Sequence, residues 1–211
     1  MPRKTDLKSL ASMLEDRPVG ERQIVAVAGA PGAGKSTFAK ALVSRVNTSC
    51  PDRAALVEMD GFHYDNSVLQ DMRRLEHKGA ADTFDVDGLT HTLARLRENT
   101  DDTVAVPVFD RSIETARAGA RLIRKQSDII VVEGNYLLLD IPPWNRLAVF
   151  FDITVMIAVD IETLNDRLSR RWRKLGFSAQ TIQQKVQQND LPNGRMVMET
   201  SVSAQFIVEG G

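Results

Sequence analysis

The sequence contains very little cysteine, which limits both its covalent structure and its expected environment. Cys50 is the one cysteine among 211 residues, so no disulfide bond can form within the chain. Disulfides are common in secreted proteins and rare in the reducing cytoplasm. The first residues also lack the continuous apolar core of a signal peptide. We therefore expect the protein to be cytoplasmic.

Long apolar runs and an excess of charge of one sign are also lacking. The longest apolar run, Ile153 to Val159, contains Thr154 and is far shorter than the ~20 residues that span a bilayer. Lysine and arginine total 27 against 28 for aspartate and glutamate, a formal net charge of -1. Such a balance gives no overall attraction to nucleic acid or anionic lipid. We expect a small-molecule substrate, with no nucleic acid and no membrane as partners.

Short runs rich in valine and isoleucine alternate with amphipathic segments along the chain. The predicted strands are apolar at consecutive positions, as is typical of strands buried on both faces of a parallel sheet; they cover 24–28, 54–59, 104–108, 129–132 and 149–159. Predicted helices cover 35–46, 89–96, 161–175 and 179–188, and predicted loops include 110–119 and 191–194. This order predicts a doubly wound α/β sheet within a single domain, 1–211, with its ligand at the carboxyl ends of the strands.

One glycine-rich segment has the spacing of a phosphate-binding loop. A glycine and four further residues precede Gly-Lys-Ser, and the whole segment comprises Gly29, Ala30, Pro31, Gly32, Ala33, Gly34, Lys35, Ser36 and Thr37. It lies between a predicted strand and a predicted helix, as this motif requires. Its backbone N–H groups and the helix N-terminus would surround the phosphates of ATP. We predict that Lys35 reaches the β- and γ-phosphates and that Ser36 binds Mg²⁺.

The rest of the sequence favours phosphoryl transfer over GTP binding or ATP hydrolysis. No Asn-Lys-x-Asp segment that would select guanine follows the loop. The predicted strand 129–132 ends in Glu133 and then Gly134, so one acid is available for the metal and no neighbouring acid could activate water. The pattern favours a transferase with Glu133 as a second metal ligand. A nucleotide-binding switch with slow hydrolysis is the alternative.

A second set of polar residues follows the predicted strand 54–59. Asp60 stands at the end of that strand, so a parallel sheet brings it to the same edge as the phosphate-binding loop. Phosphoryl transfer needs a carboxylate that orients the acceptor hydroxyl and takes its proton. Asp60 is the predicted catalytic base, although Asp-Gly is also a common turn sequence. The candidates for binding a hydroxylated substrate are His63, Tyr64, Asp65 and Asn66.

Several motifs, in this order, resemble the phosphoribulokinase/uridine kinase/pantothenate kinase superfamily. They are the phosphate-binding loop, Met-Asp-Gly-Phe-His-Tyr-Asp-Asn at 59–66, the segment 78–89, Pro-Val-Phe-Asp at 107–110 and Val-Glu-Gly-Asn-Tyr at 132–136. Within the superfamily the sequence looks most similar to bacterial kinase-like proteins described as fructose transport system kinases. The resemblance implies a P-loop αβα sandwich with a five-stranded parallel core sheet and a short helical lid. It also implies ATP-dependent phosphorylation of a small metabolite.

The resemblance assigns roles outside the phosphate-binding loop. Asp60 matches the catalytic base, and Phe84 with Asp85 resembles a Phe-Asp pair that helps to form the acceptor pocket. Asp87 is expected instead to cap a helix that begins at Gly88.

One departure from uridine kinases bears on the acceptor. The segment 107–110 resembles a uridine kinase segment, but Glu-Thr-Ala-Arg at 114–117 replaces the His-x-Arg that should follow. This change argues against uridine. Arg111 and Arg117 are nevertheless candidates for contacting the substrate.

A dense basic run in a predicted helix is expected to belong to the lid, at about 167–190. Related kinases close arginines over the triphosphate at this place in the chain, although a solvated basic face is the alternative. Arg167, Arg170 and Arg171 share one helix face because they are three and four residues apart. Arg171 and Arg167 are the predicted catalytic arginines. Asn193 lies in a segment that resembles a turn near the adenine and is predicted to contact ATP.

The phosphoryl acceptor is open at this point. Sugars, pantothenate-like acids, nucleosides and sugar phosphates are all compatible with the motifs, and the lack of a second anion-binding motif favours an unphosphorylated sugar or polyol. The family resemblance suggests a monomer or homodimer.

Overall fold

A central parallel sheet organises residues 1–210, the part of the chain that the computed structural model describes. The strand order is β1-β8-β7-β2-β6-β3, and all neighbouring strands are parallel. The strands are β1 (Arg3–Lys4), β2 (Gln23–Gly29), β3 (Ala54–Glu58), β6 (Ile129–Gly134), β7 (Ile153–Ala158) and β8 (Phe206–Glu209). The predicted α/β fold class is therefore confirmed, and the two-residue β1 makes the sheet six-stranded.

Helices cover both faces of this sheet and create two hydrophobic cores. They are α1 (Leu7–Glu15), α2 (Lys35–Ser49), α3 (Asn66–Asp71), α4 (Val86–Glu98), α5 (Ile161–Lys174), α6 (Ala179–Lys185) and α7 (Leu191–Thr200). Successive side chains of a strand point to opposite faces. Accordingly, Val25 and Val27 belong to one core, whereas Ile24 and Ala26 belong to the other. This arrangement explains why the central strands are apolar at consecutive positions.

The predicted strand 104–108 is a strand in the structure, but its predicted place in the parallel sheet was wrong. The strand β4 (Thr103–Asp110) pairs only with β5 (Thr115–Arg124), and the two form an antiparallel hairpin. Val104 and Val106 are buried and Ala105 is exposed, so β4 has one buried face. The alternation was hidden because its exposed residue is a small apolar one. The predicted loop 110–119 was wrong over the part that forms β5, a mostly exposed strand whose apolar residues are mainly alanine.

The segment 191–194 was predicted to be a loop, and the structure corrects this to helix. A π-helical turn, Val186–Asp190, joins α6 directly to α7. Pro192 lies in the first turn of α7, where a missing backbone N–H group is tolerated. Across residues 1–210, no helix combines the length and apolar composition that crossing a bilayer requires.

The carboxyl ends of three neighbouring strands place the residues with predicted chemical roles at one edge of the sheet. Glu133 in β6 is the register partner of Val27 in β2 and of Glu58 in β3. The phosphate-binding loop continues from β2, and Asp60 follows β3. The hairpin packs closely beside this edge, since a Cβ atom on Gly61 would lie 2.5 Å from the carbonyl oxygen of Pro107. The sheet edge and the hairpin together define the site.

Candidate active site

The phosphate-binding loop adopts backbone conformations that favour glycine. Gly32 has a φ of 82° and Gly34 a φ of 96°, and both values lie in the left-handed region. These turns carry the chain from β2 into α2, which begins at Lys35. The N-terminus of α2 therefore faces the cleft and supplies the unpaired N–H groups and partial positive charge that bind phosphate. Ala30 and Ala33 face away from the cleft and pack in the core.

Ser36 and Glu133 meet at the base of this loop. The Ser36 hydroxyl donates a hydrogen bond of 3.1 Å to Oε1 of Glu133. Burial raises the pKa of Glu133 to about 7, and the positive charge of Lys35 opposes this rise. Burial likewise lowers the pKa of Lys35, whereas the charges of Glu133 and Asp60 raise it. A carboxyl group, a hydroxyl group and an ammonium group thus lie close together in a partly desolvated part of the site.

The oxygen atoms of Ser36 and Glu133 fit a magnesium ion. Mg²⁺ prefers oxygen ligands and is commonly held by one or two protein groups together with phosphate oxygens and water. Within residues 1–210, no group of three or more histidine, cysteine, aspartate and glutamate side chains could hold a metal by itself. The donor set therefore suits a metal that arrives with a nucleotide.

Asp60 lies in a short 3₁₀ helix, Met59–Phe62, directly after β3. Arg111, in the turn of the hairpin, donates a hydrogen bond of 2.6 Å to Oδ2 of Asp60. Burial works against ionisation of Asp60, but its electrostatic interactions with His63, Arg111 and Lys35 together hold its pKa below the ordinary value. Asp60 is therefore an ionised carboxylate at neutral pH.

His63 forms part of an aromatic wall beside Asp60. Its ring centroid lies 4.0 Å from that of Phe84 and 4.9 Å from that of Phe109. The His63 Nδ1 lies 2.8 Å from the backbone oxygen of Asp60. This oxygen can only accept, so Nδ1 carries the proton, and burial lowers the pKa of the imidazole. The neutral ring leaves Nε2 as a hydrogen-bond acceptor.

A cleft of about 1210 Å³ joins these groups. The predicted site residues that line it are Pro31, Gly32, Gly34, Lys35, Ser36, Thr37, Asp60, His63, Asn66, Phe84, Arg111, Arg167, Arg171 and Asn193. Glu133 lines a smaller cavity of about 320 Å³, which shares Ser36, Asp60 and Arg111 with the cleft. The structure therefore brings the predicted nucleotide, metal and base residues together.

Other predicted substrate residues make local contacts outside the cleft lining. Asp65 caps α3 by accepting a 2.9 Å hydrogen bond from the Ser67 backbone N–H group. Arg117 pairs with Asp110 at 3.3 Å. Tyr64 is half-buried and is not among the residues that line either described cavity.

The start of α4 corrects the predicted helix cap. Asp85 is the cap, and its Oδ1 accepts a 2.8 Å hydrogen bond from the backbone N–H group of Gly88. Gly88 suits this geometry because a Cβ atom there would collide with the Asp85 carboxylate. The helix begins at Val86, and Asp87 instead pairs with Arg146 at 2.7 Å. The expected cap, Asp87, was wrong.

The basic helix α5 lies against the phosphate-binding loop, but its arginines have different surroundings. The guanidinium of Arg167 donates hydrogen bonds of 3.3 Å to the carbonyl oxygens of Ala33 and Gly210. Arg171 projects along the cleft, where partial burial and then the positive charge of Arg111 lower its pKa. Arg167 therefore contacts the loop backbone among its partners, whereas Arg171 lies within electrostatic range of Arg111 and Asp60.

The end of the predicted lid is tied to α5 by a hydrogen bond that sequence reasoning missed. Trp172 Nε1 donates to Oδ2 of Asp190 at 2.6 Å, within the π-helical turn. Asn193 follows in α7, where its Nδ2 donates to Asn189 at 3.2 Å. Asn193 is thus a buried helical residue that borders the cleft, where the sequence predicted a turn.

Lys78 and Asn135 also line the cleft, and neither was predicted. Lys78 Nζ donates hydrogen bonds of 2.6 Å to Asn66 and 2.7 Å to the Glu114 backbone, which link the hairpin turn to the first residue of α3. Both residues occur in motifs that carry the family resemblance. The signal available in the sequence was their position in those motifs.

Comparisons with known proteins agree with this geometry. The model of the phosphoribulokinase/uridine kinase family matches residues 24–209. The chain is similar to a crystallised Silicibacter sp. TM1040 protein described as a candidate fructose transport system kinase, with a TM-score of 0.87 and 34% identity over 96% of this chain and 98% of that chain. It is 33% identical over 190 residues to the uncharacterized protein YggC of Escherichia coli (strain K12), covering 89% of this chain and 78% of YggC.

A third relative is longer than this chain. The pantothenate kinase of Sorangium cellulosum is 34% identical over 149 residues, which are 68% of this chain and 48% of that enzyme. The resemblance inferred from the motifs is thereby confirmed. The chain belongs to the phosphoribulokinase/uridine kinase family and is a P-loop kinase.

Proposed function

We propose that the protein transfers the γ-phosphoryl group of ATP, with Mg²⁺, to a hydroxyl group of a small polar metabolite such as a sugar. The observation that carries this proposal is the meeting of Asp60, Lys35 and the Ser36–Glu133 pair at one edge of the sheet. A base for the acceptor and a cradle for the phosphates then face each other across one cleft. Phosphoryl transfer depends on such positioning and on charge stabilisation.

In the proposed mechanism, Lys35 and the loop N–H groups bind the β- and γ-phosphates. Ser36 and Glu133 would hold Mg²⁺, which when bound neutralises phosphate charge. Asp60 accepts a hydrogen bond from the acceptor hydroxyl and takes its proton as the new O–P bond forms and the bond between the γ-phosphorus and the bridging oxygen breaks. The lowered pKa of Asp60 supports this role because the carboxylate is ionised before the acceptor binds.

The lid residues are proposed to act in two ways. Arg171, together with Arg170 and Lys174 on the cleft side of α5, would neutralise charge on the transferred group. Arg167 would position the phosphate-binding loop through its contact with the Ala33 carbonyl. We further propose that the lid spans about 167–190 and that Asn193 approaches the nucleotide from α7.

A sugar is the acceptor that we favour, and there are three alternatives. The name of the Silicibacter relative supports a sugar. The similarity to the Sorangium enzyme supports a pantothenate-type acceptor, and a nucleoside-type acceptor is a further member of this class. The alternative from another class is a nucleotide-binding switch associated with sugar transport. We also infer that the protein is cytoplasmic, which its single cysteine supports. We infer further that it is a monomer or homodimer.

The test is ADP release from Mg·ATP in the presence of D-fructose, D-ribose, pantothenate, uridine or ribulose 5-phosphate, with a control that lacks acceptor. We expect one acceptor to raise the rate and Asp60→Asn to remove the increase. Equal rates in all reactions would overturn the kinase proposal for these acceptors and favour the nucleotide switch.

A further inference from the structure

Asn135 is a buried polar residue in the cleft that the proposed mechanism does not use. It directly follows β6, two positions after Glu133, and its side chain lines the cleft. The residue is 9% exposed. Its Oδ1 atom is buried and has no hydrogen-bond partner among the described residues. Buried amide oxygens without partners are rare in native proteins, and an unpaired one at a binding site indicates a missing donor.

The orientation of the Asn135 amide follows from its neighbour Tyr136. The Tyr136 hydroxyl donates its proton to the backbone oxygen of Gly79 at 2.6 Å. The phenol oxygen can therefore only accept from Asn135. The Asn135 side chain works to lower the pKa of the phenol against the larger effect of burial, which is the direction expected of an amide NH₂ donor. Oδ1 has no hydrogen-bond partner among the described residues and is the acceptor that a ligand would satisfy.

The chemistry of Oδ1 limits which ligand can satisfy it. An amide oxygen accepts hydrogen bonds and cannot donate them. The phosphates of ATP and the carboxylate of an acid have no proton to give at neutral pH, so neither can pair with Oδ1. The surroundings of Oδ1 also lie on the acceptor side of the cleft. The ring of Tyr136 packs edge-on against that of Phe84, with 5.7 Å between the ring centroids, and the charge of Asp60 raises the pKa of Tyr136. A hydroxyl group of the acceptor would supply the missing donor.

We propose that Asn135 binds a second hydroxyl group of the acceptor through Oδ1 while Asp60 binds the hydroxyl that is phosphorylated. This inference rests on the proposed function and narrows the class of acceptor. The acceptor then carries at least two hydroxyl groups, as a sugar or polyol does. Asn135 selects the acceptor and holds it in one orientation, and it takes no proton.

The first experiment compares Asn135→Leu with the wild-type protein. Leucine has a similar size and no polar atom, so it removes the contact with little change in packing. We expect the KM for the acceptor that stimulates ADP release to rise about 10- to 100-fold, as for a lost hydrogen bond in a buried site. The KM for Mg·ATP and the dependence of the rate on Mg²⁺ should not change. The melting temperature of the ligand-free protein should not fall. Ser201→Ala is the matched control, because it removes another buried oxygen without a partner that lies outside both described cavities.

The second experiment uses monodeoxy derivatives of the same acceptor. The wild-type protein should discriminate by about tenfold or more against the derivative that lacks the hydroxyl bound by Asn135, and Asn135→Leu should lose this discrimination. An unchanged acceptor KM in Asn135→Leu overturns the proposal. So does an equal rise in the KM for Mg·ATP, which would assign Oδ1 to water near the nucleotide, or a fall in melting temperature that accounts for the lost activity.

A separate binding measurement keeps this proposal distinct from the kinase proposal. If no compound stimulates ADP release, calorimetry with D-fructose, D-ribose and uridine in the presence of Mg·ADP tests the site directly. Binding to the wild-type protein that is at least tenfold weaker in Asn135→Leu would support the hydroxyl site although the proposed reaction had failed. Absence of binding to the wild-type protein, or equal binding to both proteins, would overturn it.

Discussion

Glu133→Gln is expected to stabilise the metal-free protein at alkaline pH. Glu133 is 3% exposed, and burial raises its pKa from 4.5 to about 7. Glutamine has nearly the same shape as the protonated acid and carries no charge at any pH. The substitution therefore removes the cost of keeping an ionised carboxylate in a buried position.

The size and sign of this effect follow from linkage. At about 1.4 kcal/mol for each pH unit, the difference between 4.5 and about 7 corresponds to about 3 kcal/mol. The folded-state pKa is the higher one, so the folded protein holds the proton more tightly between these values. The free energy that protonation of Glu133 contributes to folding is fully present below about pH 4.5 and is lost as the pH rises to about 7. Above about pH 7 this contribution changes no further.

The assay is urea unfolding of both proteins in EDTA at pH 5 and pH 8. The variant should gain up to about 3 kcal/mol of unfolding free energy over the wild-type protein at pH 8 and much less at pH 5. Glu21→Gln, at an exposed glutamate, is the control and should change stability by less than about 0.5 kcal/mol. A Glu133→Gln protein that gained nothing at pH 8 relative to pH 5 would refute the reasoning. Added Mg·ATP should stabilise the wild-type protein more than this variant.

Three further predictions test other parts of the site. Asp60→Asn should lower kcat by at least about 100-fold because the base is lost, and ATP affinity measured by calorimetry should be retained; retained turnover would contradict the assignment. Arg111→Met removes a positive charge that lowers the pKa of Asp60, so the acid limb of the pH profile of kcat/KM should move to higher pH, and an unmoved limb would exclude this coupling. Gly32→Ala should weaken ATP binding and lower the unfolding free energy by about 1 kcal/mol or more, since a Cβ atom would lie 3.2 Å from Leu168 of α5 at a φ of 82°. Gly20 has a φ of 99°, and a Cβ atom there would meet nothing within 4 Å, so Gly20→Ala measures the cost of backbone strain alone. If Gly20→Ala weakened ATP binding as much as Gly32→Ala, the contact with α5 would be ruled out as the cause.

The phosphate-binding loop and the parallel sheet could be predicted because their signals are local. The loop requires glycine at Gly32 and Gly34 for its backbone, and the central strands are apolar throughout because both faces are buried. The hairpin could not be predicted in the same way. Its inner strand β4 is nearly as apolar as a central strand, and its outer strand β5 is mostly exposed.

Side-chain roles were harder to predict than elements. Asp85 and Asp87 both stand at the start of α4, and the choice between them depends on where the first helical residue lies. Asn135 follows Glu133 in a motif that drew attention to the acid. What distinguishes it is an amide oxygen without a partner, which depends on packing around Tyr136 and could not be read from residue order.

The hairpin formed by β4 and β5 has a consequence for how acceptor preference changes. These two strands pair with each other and with no strand of the parallel sheet in residues 1–210. Arg121 ties the hairpin to Glu58 at 3.1 Å, while the turn that carries Arg111 projects over Asp60. Under the proposed function, substitutions or insertions in the turn at 111–114 can alter the acceptor while the strand pairing of the parallel sheet is kept. One phosphate-binding site can therefore be combined with different acceptor sites.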